Sequence, residues 1–238
     1  MADIFSFKQF QVRQDNCAMK VGTDGVLLGA WTGLEHSPET ILDIGAGTGL
    51  IALMLAQRSP KTSIIDAVEI DVAAYEECVT NFENSPWNDR LFCYHASLSE
   101  FATEMDEKYD LIISNPPFYT ENVPSGNLQR DMARSTTSLS FEALLKNVSL
   151  LLTDNGFFNV IVPYKAEPSF IKTAFNFGLF PNKILHVKGS PSSPIKRSLM
   201  AFSFIEKEAS ISEMAIEIER HRYTQEYSAL TNSFYLKM

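Results

Sequence analysis

The chain has 238 residues, 45% of them apolar, which is enough for one α/β domain with insertions and a full core. A formal net charge of -9 argues against a protein that coats nucleic acid generally, so any RNA contact must rest on a local basic patch. Cys17, Cys78 and Cys93 show no metal-type spacing, and His36, His95, His186 and His221 are scattered, so neither a disulfide frame nor a metal site is expected. No run is apolar enough to span a membrane, and the start Met1-Ala2-Asp3-Ile4 lacks a basic-then-apolar leader, which points to a cytoplasmic protein without a membrane partner.

The opening Phe5-Ser6-Phe7-Lys8-Gln9-Phe10-Gln11-Val12 is aromatic-rich and alternating, which predicts a short hairpin or cover strand. Gly22-Thr23-Asp24-Gly25 then supplies turn and cap chemistry ahead of a buried helix starting at Val26-Leu27-Leu28. A cap alone does not account for Lys20-x-Gly22-Thr23-Asp24 so close to a glycine loop, so Lys20, Thr23 and Asp24 are candidate cofactor contacts.

Ile41-Leu42-Asp43-Ile44 reads as a short buried strand running into Gly45-Ala46-Gly47-Thr48-Gly49 and a helical pattern from Leu50. Glycines at Gly45, Gly47 and Gly49 let backbone N–H groups approach a ligand. Their spacing differs from the Gly-x-Gly-x-x-Gly that seats a pyrophosphate, and suits a carboxylate, amine and thioether end, with Asp43 ordering the loop or reaching an ammonium through water. The next strand, Ser63-Ile64-Ile65-Asp66-Ala67-Val68, ends at Glu69, placed to accept ribose hydroxyls, while Asp71 caps the helix over 73–84. Leu91-Phe92-Cys93-Tyr94-His95 is the third strand, after which Ser97 either contacts an adenine ring or caps a helix.

The fourth strand, 110–114, ends in Asn115-Pro116-Pro117-Phe118. Two prolines stiffen this stretch, so the Asn115 amide oxygen and the Pro116 carbonyl can converge on one planar NH2 group, with the Phe118 ring stacking beside it. The stretch from Tyr119 to Ser138 is polar and long for a connection, a substrate loop or a solvated one, and places Tyr119, Arg130 and Arg134 near the site. A helix over 141–152 stopped by Asp154-Asn155-Gly156, a strand over 156–163, a helix over 167–177 ended by Gly178, and an antiparallel strand pair over 183–188 and 198–205 complete the pattern. Between 165 and 197, six basic residues face only Glu167, a candidate polyanion surface that includes Lys196 and Arg197. The tail over 217–237, with Arg220, His221, Arg222, Tyr223, Tyr227 and Tyr235, is suited to covering one end of the sheet.

The order Asp43-x-Gly45-x-Gly47-x-Gly49, Glu69, Asn115-Pro116-Pro117-Phe118 resembles class I S-adenosylmethionine-dependent methyltransferases that act on exocyclic or amide nitrogens. The N-terminal blocks around Phe5 and over Cys17 to Trp31, with Tyr223-Thr224-Gln225-Glu226-Tyr227 near the other end, are similar to the bacterial valine-tRNA adenosine-37 N6-methyltransferases over nearly the whole chain. One departure is Ala96-Ser97, where many relatives of the wider class carry an Asp at the third strand end.

The resemblance implies an α/β fold with a doubly wound, mostly parallel seven-stranded sheet and an antiparallel last strand. It implies a single methyltransferase domain with a cover and cofactor-lid segment over 1–40, a Rossmann-like core over 41–207 and an extension over 208–238. S-adenosylmethionine would be held by Lys20, Thr23, Asp24, Asp43, Gly45, Gly47, Gly49, Glu69, Ser97 and Asn115. Asn115, Pro116 and Phe118 would act on the adenine, and Phe118, Tyr119, Arg130, Arg134, Lys196 and Arg197 would meet the anticodon loop of tRNA, with no metal and no obligate protein partner. A protein glutamine N5-methyltransferase presents the same NH2 chemistry, but needs a peptide-recognition domain where only about 40 residues precede Asp43. A non-catalytic cofactor- or RNA-binding module is the third reading, disfavoured by the presence of Asn115 and Glu69.

Overall fold

The computed structural model describes residues 3–17, 19–117 and 139–237. The expected N-terminal hairpin forms from β1 (Ile4–Ser6) and β2 (Gln11–Arg13), and the buried helix α1 (Thr23–Trp31) follows. The repeating units are then β3 (Thr40–Ile44), α2 (Leu50–Arg58), β4 (Ile64–Glu69), α3 (Val72–Glu83), β5 (Leu91–His95), α4 (Leu98–Glu104) and β6 (Tyr109–Ser114). Beyond the undescribed stretch come α5 (Phe141–Leu151), β7 (Leu152–Pro163), α6 (Glu167–Phe175), β8 (Phe180–Lys188), β9 (Ile195–Ser203), β10 (Ser210–Ala215), the small hairpin β11 (Glu217–Glu219) with β12 (Arg222–Tyr223), and α7 (Gln225–Thr231).

Strands β3 to β10 make one sheet in the order β10-β8-β9-β7-β6-β3-β4-β5. Every pairing is parallel except those of β9, which runs antiparallel between β7 and β8. The seven expected strands are there, and β10 adds an eighth at the edge, drawn from the expected C-terminal extension. The central strands read as nearly unbroken apolar runs because helices cover both faces. Ile41 packs on the side of α1 and α2, whereas Leu42 and Ile44 pack on the side of α4 and α5.

Several boundaries differ from expectation: α1 begins at Thr23 and not at Val26, β8 begins at Phe180 and not at 183, and β9 runs over Ile195–Ser203 and not over 198–205. Leu152 begins β7, with no break between helix and strand, and Asp154-Asn155-Gly156 lies within the strand range. The register jumps from Tyr109 opposite Leu152 to Leu111 opposite Phe157, so the polar residues between bulge out of the ladder instead of forming a turn. Gly178 does end its helical region as expected, with a left-handed φ of 70°.

From β3 the chain builds β4 and β5 on one side, then crosses to place β6 on the other. This reversal between β3 and β6 is where an open α/β sheet leaves a crevice at its carboxyl ends. Ile44 lies opposite both Val68 and Ser114, and Glu69 lies opposite His95, so the four strand ends form one rim.

Candidate active site

Gly45, Gly47 and Gly49 all take left-handed φ values, of 71°, 55° and 77°. Gly45 and Ala46 donate to the Val68 carbonyl, and Gly49 donates back to Ala46, which folds the loop tightly over the β3–β4 end. The outer two glycines serve opposite needs. A Cβ on Gly49 would sit 2.6 Å from Phe82 and 2.8 Å from the Cys78 sulfur, so close packing on α3 excludes any side chain there. A Cβ on Gly45 would meet nothing within 4 Å, so that side of the loop faces open space.

Glu69 closes the loop from the next strand. Its Oε2 accepts from Gly47 N at 2.8 Å, and its Oε1 accepts from Ile70 N and Asp71 N at 2.9 Å each. Asp71 caps α3 as expected, accepting from Ala74 N. Asp43 is completely buried beneath the loop. Its Oδ2 accepts from Ala52 N in the first turn of α2 at 3.1 Å, while Oδ1 has no partner among the described residues. Burial, aided by the nearby Glu69 charge and opposed by the Ala52 N–H, pushes its carboxyl up to about 7.

Asn115 stands one residue beyond Ser114, whose hydroxyl donates to Ile44 O at 2.9 Å and pins β6 to β3. The Asn115 Oδ1 is buried and, among the described residues, accepts no hydrogen bond. Leaving a buried acceptor open costs about 1–3 kcal/mol, so such atoms are rare in folded proteins and demand a reason. Pro116 beside it is buried and Pro117 exposed. Phe118, Tyr119, Arg130 and Arg134 lie outside the described residues.

Two residues that sequence reasoning passed over hold the N-terminal segment against the site. Glu77 in α3 is buried, and its carboxylate accepts from the backbone N–H groups of Asp15, Asn16 and Cys17. Asn81, one turn on, accepts from Arg13 N and donates to Arg13 O and to Thr48 O in the glycine loop. Together they tie the segment to helix and loop, and bring the Cys17 sulfur to 3.7 Å from where a Gly47 Cβ would be. Burial, with Glu69, Glu77 and Asp71 nearby, pushes the Cys17 thiol up, so it stays neutral. A signal for this clamp was available: Ala74, Glu77, Cys78, Asn81 and Phe82 share one helix face, and two of the five are polar.

The other candidates scatter along the rim. Lys20 is exposed and paired with Asp3 at 2.5 Å. Thr23 opens α1, which has Gly22 as its N-cap and no side-chain cap bond. Asp24 bonds Arg197 at 2.7 Å across to β9, joining an expected cofactor residue to an expected RNA residue. Ser97 is the cap of α4 in a reciprocal capping box with Glu100. Lys196 is exposed at the start of β9. The basic stretch does not form one face: Lys183 near the start of β8 lies over the Trp31 ring at 5.1 Å, while Lys188 at its end pairs with Glu213. Among the described residues, no group of His, Cys, Asp or Glu could hold a metal ion, and no helix is long and apolar enough to cross a membrane.

A sheet that reverses between β3 and β6, with an open acceptor beside a glycine loop at the reversal, has the architecture of a class I methyltransferase. The fold superposes with a TM-score of 0.69 on a predicted O-methyltransferase from Agrobacterium tumefaciens, at 18% identity over 89% of this chain and 96% of that one. Residues 26–159 match the family described as Methyltransferase small domain. Beyond the fold, the chain is 58% identical to the tRNA1(Val) (adenine(37)-N6)-methyltransferase of Flavobacterium psychrophilum, covering 99% of this chain and all of that one. It is 47% identical to the protein of the same description from Bacteroides fragilis, over 98% of each chain. The chain belongs to the tRNA1(Val) (adenine(37)-N6)-methyltransferase family.

Proposed function

We propose that this protein methylates N6 of adenosine 37 in valine tRNA with S-adenosylmethionine as methyl donor. The observation that carries the reading is the buried, unpartnered Asn115 Oδ1 at the switch point beside the glycine loop.

The residues present fit this cofactor. Gly45 leaves open space where a Cβ would stand, Glu69 ends the second strand within reach of a ribose, and Asp43 keeps a buried open oxygen below the loop. When bound, the cofactor supplies an electrophilic sulfonium methyl. Gly45, Gly47 and Gly49 would shape its seat, Glu69 would take the ribose and Asp43 the ammonium end, through the loop or water. Lys20, Thr23 and Asp24 would line its approach, and Ser97 would border its adenine.

The chain's own contribution to the chemistry is acceptance. An adenine N6 is a poor nucleophile because its lone pair is delocalised into the ring. Asn115 Oδ1 and the Pro116 carbonyl each accept one of its N–H groups, which favours a pyramidal nitrogen and stabilises the positive charge that develops on it. A preorganised hydrogen bond of this kind contributes about 3–4 kcal/mol, or 10²–10³ in rate. The proton leaves the charged nitrogen to water, with no general base needed. Phe118 stacks on an adenine turned out of the anticodon loop, where unstacking costs less than in a duplex. Tyr119, Arg130, Arg134, Lys196 and Arg197 meet the surrounding RNA.

The chain reads as one methyltransferase unit, with 1–40 as cover and lid, 41–207 as core and 208–238 as extension, acting in the cytoplasm where its tRNA is. Incubation with methyl-labelled S-adenosylmethionine and bulk tRNA, bulk protein or DNA in parallel tests the substrate class. Label is expected in tRNA alone, as N6-methyladenosine at position 37. Label in protein would support glutamine N5 transfer instead, and label in none a binding module.

A further inference from the structure

The rim carries a second concave site, which touches the candidate cofactor residue Thr23 at one wall and extends away from Asn115. Gly189 follows β8 and Ile216 follows β10, and with Tyr223, Tyr227, Tyr235 and Lys237 they border a cavity of about 520 Å³. Neither the glycine loop nor Glu69 nor Asn115 lines it. It nevertheless faces the same way, because β8 and β10 run in the direction of the central strands and end at the same rim. Asn115 lies at the end of β6, three strands from β8 and four from β10, a lateral separation of about 14–19 Å at the usual strand spacing.

The walls suit a flat, polar-edged ring. Tyr223 is 39% exposed and lies against Tyr227 with ring centroids 5.2 Å apart, so one face is backed and the remaining surface is open. Tyr227 is buried, and among the described residues its hydroxyl has only the Tyr235 hydroxyl at 3.5 Å, well beyond an ordinary O–H···O contact. Burial pushes both hydroxyls up, so each remains a neutral donor and acceptor with capacity to spare. The wall carries both charges, Lys237 and Glu217. Arg220 is exposed outside the lining, on the turn between β11 and β12 beside His221. Among the described residues neither cation has an acid within ion-pair distance. Exposed aromatic rings beside cations are how proteins hold single-stranded nucleic acid, bases stacking on the rings and phosphates meeting the charges.

We propose that this cavity receives a second nucleobase of the same RNA whose adenine meets Asn115, stacked on Tyr223, its polar edge on the Tyr227 and Tyr235 hydroxyls and its backbone against Arg220 and Lys237. The inference rests on the tRNA reading above. The separation of about 14–19 Å is four to six stacked nucleotide rises of 3.4 Å, fewer where the strand is splayed, and so lies within one hairpin loop.

The test uses the full chain, a valine tRNA transcript and labelled S-adenosylmethionine, with kcat, KM for tRNA and cofactor affinity measured for wild type, Tyr223→Ala and Tyr223→Phe. Tyr223→Ala should raise KM for tRNA by about 5–100-fold, the worth of one base stacked on an aromatic ring, with kcat and cofactor affinity within twofold of wild type. Tyr223→Phe should keep the wild-type KM, since it keeps the ring. A transcript made abasic at one loop position other than 37 should lose the same factor with wild type and nothing further with Tyr223→Ala. Arg220→Ala, which leaves the cavity wall intact, should lower the slope of log affinity against log salt by about one. A wild type that labels tRNA, with Tyr223→Ala at unchanged KM, overturns the cavity assignment alone. A wild type that labels no tRNA overturns both it and the reading on which it rests.

Discussion

The two halves of the rim treat buried polar atoms in opposite ways. Around β3, β4 and α3 they are spent on the fold: Glu69 takes the N–H groups of Gly47, Ile70 and Asp71, and Glu77 takes those of Asp15, Asn16 and Cys17. From β6 outward some are paired, as Ser198 and His186 are with Glu167, but others are held open: among the described residues Asn115 Oδ1 has no partner, and the Tyr227 and Tyr235 hydroxyls share one long contact. A saturated polar group sets shape, whereas an unsatisfied one carries a desolvation cost that a ligand can relieve. Asp43 stands between the two, with one oxygen used and one open.

This contrast predicts that substitutions in the first half cost stability, with or without a loss of cofactor binding, whereas those at the open acceptors of the second cost binding or turnover alone. The largest loss of stability is expected for Gly49→Ala, about 3–5 kcal/mol, from the left-handed φ together with overlap on Phe82 and Cys78. Gly45→Ala should cost only the backbone term, about 1–2 kcal/mol, yet weaken the cofactor because its methyl enters the open side of the loop. Urea unfolding and calorimetric titration of both variants separate the two effects, and equal stability losses would erase the distinction. Next, Glu77→Ala should cost roughly 2–4 kcal/mol by stranding three backbone donors, and limited proteolysis should then cut near residues 13–17 first.

A pH-dependent effect is expected from the half-used Asp43. Its folded pKa is raised from 3.8 to about 7, so the folded chain holds this proton to higher pH than the unfolded one. The resulting stability is present below about pH 4 and is lost as pH rises through about 7. Melting followed over that range should fall more for wild type than for Asp43→Asn, and parallel curves would refute the assignment. The smallest change is reserved for Arg222→Ala, which removes an exposed pair with Glu219 and should shift stability by less than about 0.5 kcal/mol.

How much of this could be read in the sequence depended on the reach of each interaction. β5 was found at both ends, the Asp71 cap by its position before a helix, and the rim by the alternation of strand, loop and helix. The eighth strand was missed because β10 is an edge strand, mostly exposed, so Ser210-Ile211-Ser212-Glu213 carries no buried alternation. The start of β7 was misplaced because a bulge looks like a turn until its partner strand is known. The Glu77 and Asn81 clamps reach N-terminal residues 60 or more positions away, which no local pattern reports, though two polar residues on an apolar helix face hinted at a buried job. Ser97, left between cofactor contact and helix cap, forms the cap. The place of Asn115 just past a strand end was legible from the apolar run before it, whereas its open oxygen needed the whole fold.

The open Asn115 acceptor is also where the account is most directly tested, by the single-turnover methylation rate of Asn115→Ala at saturating tRNA and cofactor, read alongside its melting temperature. The rate should fall by at least about 10²–10³-fold, with cofactor affinity kept and the melting temperature unchanged or raised, because the atom removed satisfied nothing in the fold. A near-normal rate, or a loss of activity accompanied by a collapse in stability, would contradict it.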